Sequence, residues 1–108
     1  GMIVKLVYNS KSQKLYNDLS IILARNFPYI TLEALNEDYF KDRKKSYKVK
    51  GACSTRLTPF CAIYIKKEII KAFYSDTDEC KLDNIVKFLN DYVNENPKCT
   101  ESENCKQE

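Results

Sequence analysis

Hydrophobic and polar residues alternate along this chain with a period that changes from one segment to the next. Residues 3–8 (IVKLVY) form a β-branched, nearly continuous apolar run broken only by Lys5, the pattern of a central strand covered on both faces. Leu15, Leu19, Ile22, Leu23 and Phe27 follow at spacings that line one face of a helix. Ser10 or Ser12 is the expected cap, and Pro28 requires the helix to stop by Phe27. Residues 29–35 (YITLEAL) place Ile30, Leu32 and Ala34 opposite Thr31 and Glu33, which predicts a strand. Strand, helix and strand at this spacing make a right-handed βαβ unit with two parallel neighbouring strands.

The second half reads differently. Residues 36–45 are charged, with Tyr39 and Phe40 scattered among them, and suit a short exposed helix that Gly51 follows as a chain break. Thr58-Pro59 leads into two β-rich runs, 60–65 (FCAIYI) and 69–74 (IIKAFY). Lys66-Lys67-Glu68 between them is short enough for an antiparallel hairpin, although it lacks an Asn-Gly signal and leaves the turn type open. Leu82, Ile85, Val86, Leu89 and Val93 form the stripe of a final helix, capped by Asp76 or Asp78 and closed by Pro97. The predicted order is βαβαββα over residues 2–93, with a polar tail at 94–108.

A chain of 108 residues is long enough for one core and too short for two. Gly1 ahead of Met2 reads as a residue left by tag cleavage, so the native chain is expected to begin at Met2. The apolar runs are far shorter than the ~20 residues that span a bilayer, and no secretory leader is seen, so a soluble cytoplasmic protein is expected. Five cysteines (Cys53, Cys61, Cys80, Cys99 and Cys105) at irregular spacing do not form a disulfide framework. With no histidine and no C-x2-C pair, neither a zinc site nor a histidine-based hydrolase is expected, and no cofactor is indicated. The net charge of +3 is concentrated: residues 41–50 carry six basic side chains against one Asp, whereas residues 94–108 hold four Glu against two Lys.

This element order, with Thr58-Pro59 immediately before the third strand of the expected sheet, resembles the thioredoxin/glutaredoxin fold over about residues 3–93. The opening IVKLVYNSK is similar to a glutaredoxin first strand. The resemblance implies an α/β domain with a four-stranded mixed sheet flanked by helices and a cis Thr58-Pro59 bond. It also implies a redox C-x-x-C pair where the first helix begins, because free N–H groups and the helix dipole there lower a thiol's pKa. Counting from Tyr8, glutaredoxin spacing puts those positions at Gln13 and Tyr16, and a shorter loop puts them at Asn9 and Ser12. Neither register contains sulfur, so the expected protein is a redox-inactive, divergent relative.

Fold alone does not transfer function, and three readings stand. The first is a non-catalytic module that binds a peptide or protein partner near Ser10, Ser12, Gln13, Tyr16, Thr58 and Pro59. The same groove offers a place for a glutathione-like or anionic ligand, with Ser10, Lys11, Ser12 and Lys14 around the helix start. The second is a thiol redox protein using Cys53, a loop cysteine between Lys50 and Arg56, with Cys61 as resolving partner; Cys61 also reads as ordinary buried packing. The third is nucleic-acid binding through residues 41–50 with Tyr39, Phe40 and Tyr47, which a sequence pI of 8.5 disfavours. Disulfides between Cys53 and Cys61, or between Cys99 and Cys105, are open alternatives.

Overall fold

The computed structural model describes residues 2–36, 47–49, 52–54, 60–65, 67–74 and 77–97. In chain order these form β1 (Met2–Tyr8), a 3-10 turn (Ser10–Ser12), α1 (Gln13–Asn26), β2 (Ile30–Asn36), β3 (Tyr47–Val49), β4 (Ala52–Ser54), β5 (Phe60–Ile65), β6 (Glu68–Tyr74) and α2 (Leu82–Glu95). Four strands make a mixed sheet in the order β2-β1-β5-β6, and β3 pairs with β4 as a separate small hairpin. The protein is therefore α/β, with one four-stranded mixed sheet and two helices among the described residues.

β1 is central, as its apolar run predicts. It pairs in parallel with β2, Met2 opposite Ile30 and Val4 opposite Leu32. On its other side it runs antiparallel to β5, Val4 opposite Ile63 and Leu6 opposite Cys61. The two-residue alternation of a strand sends Met2, Val4 and Leu6 to one face, where they are buried with Leu19 and Leu23 of α1 and Ile85 and Leu89 of α2. Each such fully buried aliphatic side chain contributes about 1.5–3 kcal/mol. Both helices thus cover the same face of the sheet.

The opposite face is built on Val7 and Ala62, with Ile3, Leu35, Ile69, Ala72 and Tyr74 packed around them. Lys5 lies on this face and pairs with Glu33 at 3.8 Å, both side chains about half exposed. The helix expected over residues 36–45 falls largely outside the described residues, and Asn36 itself belongs to β2. The β3–β4 hairpin was not legible in the sequence, and it places Cys53 on a strand, opposite Lys48, not in a loop.

Helix ends also depart from expectation. α1 closes as Pro28 demands, with the Phe27 N–H donating to Leu23 O at 2.9 Å. Its N-cap residue is Ser12, one of the two expected, but the Ser12 side chain makes no cap bond to α1; the side-chain cap is Asn9, at the start of the 3-10 turn that leads into the helix. α2 starts from Lys81 with no side-chain cap. Asp78 has a left-handed backbone, φ 60°, and its carboxylate holds Lys81 at 2.8 Å; Asp76 lies outside the described residues. The β5–β6 hairpin forms without an Asn-Gly pair by placing Lys67 at φ 70°, in the left-handed region that costs a residue with a Cβ about 1 kcal/mol.

Candidate functional site

The first helix begins directly beyond the carboxyl end of β1. The Asn9 side-chain oxygen accepts the Lys11 N–H at 3.0 Å and the Ser12 N–H at 3.1 Å. In return the Ser12 hydroxyl oxygen accepts the Asn9 N–H at 2.9 Å. This reciprocal capping box occupies donors that the start of a helix otherwise offers to an anion. The two positions of the shorter register are thus bonded to each other. An anionic ligand expected around Ser10, Lys11, Ser12 and Lys14 has to compete with a carbonyl already in place.

The other register is also occupied. Gln13 Nε2 donates to Asn17 Oδ1 at 3.1 Å along the helix. Tyr16 stacks on Tyr8, with ring centroids 4.6 Å apart and planes within 4°, a contact worth about 0.5–1.5 kcal/mol beyond area burial. Tyr8 ends β1 and Tyr16 lies in the first turns of α1, so the stack fixes the helix start against the sheet.

Beside this start lies an open cleft of about 400 Å³. One wall is Lys11, Ser12, Lys14, Leu15 and Asp18; the other is Asp78, Cys80, Lys81 and Leu82 from the approach to α2. Lys14 pairs with Asp18 and Lys81 with Asp78. Leu15, Leu82 and Cys80 form the apolar floor, packed against the main core. Cationic rims over an apolar floor suit a partner that brings an apolar side chain and acceptor groups.

The structure brings Ser10, Ser12, Gln13 and Tyr16 together at one helix start. Thr58 and Pro59 lie outside the described residues, and no cis peptide bond occurs among those described. Sequence reasoning missed Cys80, Lys81 and Leu82 as cleft residues, because more than sixty positions separate them from Lys14 and Leu15. A local signal existed in Cys80, an apolar residue just ahead of the α2 stripe.

Two free cysteines are described, Cys61 and Cys80. Cys61 is completely buried, with its thiol pushed well up by burial and further by neighbouring Cys80. Burial likewise pushes the Cys80 thiol up to about 12. Both are poor nucleophiles at neutral pH, since thiolate is the reactive form. Cys99, Cys105 and most of residues 41–50 lie outside the described residues, where β3 supplies positions 47–49. No group of three or more metal-ligating side chains occurs among the described residues, and none of their helices is long and apolar enough to cross a membrane. Comparison of the chain with protein-family models, with curated proteins and with solved structures gave no match.

Proposed function

We propose that this protein is a non-catalytic, thioredoxin-like module that binds a peptide or protein partner in the cleft between the start of α1 and the approach to α2. The sheet order β2-β1-β5-β6, with β2 parallel and β5 antiparallel to β1, supports the thioredoxin-like reading. One observation carries the functional part. Both registers that would hold the reactive cysteine pair are filled by side chains bonded or stacked for structure, Asn9 with Ser12 and Tyr8 with Tyr16, beside a cleft that stays open. What remains at the site is recognition without sulfur chemistry.

Contact with the Thr58-Pro59 segment is part of this proposal, because an extended ligand there would pair with backbone groups ahead of the proline. A reducing cytoplasmic setting suits the free thiols of Cys61 and Cys80. The redox alternative through Cys53 draws no support from Cys61, whose buried thiol is a poor resolving group. The test is selection of binders from a random peptide library, followed by the double variant Lys11→Glu, Lys81→Glu. Selected peptides should lose at least about tenfold in affinity for that variant, a change of about 1.4 kcal/mol; equal affinity would remove the cleft from the account.

A further inference from the structure

β6 ends the four-stranded sheet, with β5 on one side and no strand on the other among the described residues. A groove of about 340 Å³ separates β6 from α2. Its floor is aromatic, Phe73 of β6 meeting Phe88 of α2 edge to face at 6.2 Å. On its rim Lys87 holds Asp91 at 2.7 Å, and the Glu79 carboxylate accepts the Thr77 hydroxyl and keeps its charge. Lys71 makes no ion pair among the described residues, and its ammonium sits 5.3 Å from the Phe73 ring centroid.

Lys71 and Phe73 are two positions apart and lie opposite Ile63 and Cys61, so both face the groove. A chain laid along β6 repeats that alternation, meeting Phe73 with one side chain and Lys71 with the next on the same face. We propose that the outer side of β6 accepts an extended peptide as an added strand, its apolar side chain over Phe73 and Phe88 and its acidic side chain two residues away at Lys71. Backbone pairing supplies affinity in such strand addition, and alternate side chains supply selectivity.

Three features define the occupant. A bulge at Ile70 shifts the β5–β6 register between Ile63 and Tyr64, confining the regular edge to the stretch from Lys71 onward. At the far end, Tyr74 O accepts the Glu79 N–H at 3.2 Å, so a short segment is what fits. A second copy of β6 offers Lys71 no carboxylate: the two-fold antiparallel register centred on Lys71 sets two ammonium groups opposite each other, and the one centred on Ala72 sets Lys71 opposite Phe73. An acidic peptide meets the same lysine favourably.

The test uses the full chain and a labelled, acetylated and amidated peptide STLTETS, whose Leu precedes Glu by two as antiparallel pairing requires. Anisotropy should show binding to wild type, weakened about tenfold by Lys71→Glu and regained when that variant meets STLTKTS. Circular dichroism confirms that Lys71→Glu keeps its fold. Of two peptides N-methylated at alternate residues, one should bind and the other fail, since only alternate residues of the added strand donate to β6. Lys11→Glu, at the α1 cleft, should leave binding unchanged, which separates this site from the one proposed above. Absence of binding, equal affinity for Lys71→Glu, indifference to both N-methylation patterns, or dimerisation through β6 would overturn the proposal.

Discussion

Asn9 and Ser12 cap one another: each side chain accepts the other residue's backbone N–H, at 3.1 and 2.9 Å. This pair sets the direction in which α1 leaves β1 and fills the spot where a helix start would otherwise stabilise a thiolate. Asn9→Ala should cost about 1 kcal/mol of stability, the usual loss for an N-cap, and lower the melting temperature by about 4–8 °C for a domain of this size. Asn9→Ser should recover most of it. Thermal unfolding of the three proteins checks the order.

The cysteines give a pH-dependent signature. An unfolded Cys80 thiol titrates near 9.0, whereas burial holds the folded one up to about 12. The unfolded chain then releases the proton first, so it binds fewer protons than the native state over that window and stability falls as pH rises. The stabilisation is complete below about pH 8 and is lost progressively through the folded value. Urea midpoints should therefore drop between about pH 8 and about pH 9, where most tyrosine is still protonated; the buried Cys61 thiol adds to the drop, so Cys80→Ala should reduce it and leave the Cys61 share. An unchanged slope in the variant would assign the effect elsewhere.

Much of the fold was legible because its elements are local and strongly patterned. Val4 and Leu6 announce a strand, Leu19 and Leu23 a helix, and Pro28 its end; parallel pairing of β1 with β2 then follows from handedness. Other features depend on contacts the sequence does not display. The side-chain cap fell to Asn9 because a 3-10 turn, Ser10–Ser12, precedes α1, and the unbroken polar run Asn9-Ser10-Lys11-Ser12-Gln13-Lys14 left that choice open. The cleft joins Leu15 to Leu82, a meeting decided by how α1 and α2 share one face of the sheet. Cys53 read as a loop residue because Gly51 signals a break, yet the same glycine stands between two short paired strands.

Lys67 shows a turn working against its own residue. Its φ of 70° is comfortable only for glycine or asparagine. Lys67→Gly should stabilise the protein by up to about 1 kcal/mol, less the entropy that glycine adds to the unfolded chain. Denaturant unfolding measures it, with a shifted midpoint and an unchanged slope as the outcome. Destabilisation would mean that the lysine side chain holds the hairpin.

The most direct measurement of the central claim is a map of amide chemical-shift changes when the full chain carrying Lys71→Glu, which weakens the β6 site, is titrated with a peptide selected for binding to that variant. The account predicts that the largest changes cluster at residues 10–18 and 78–82, on both walls of the cleft beside the Asn9–Ser12 cap. Changes confined to β6 and α2, with the start of α1 silent, would contradict it.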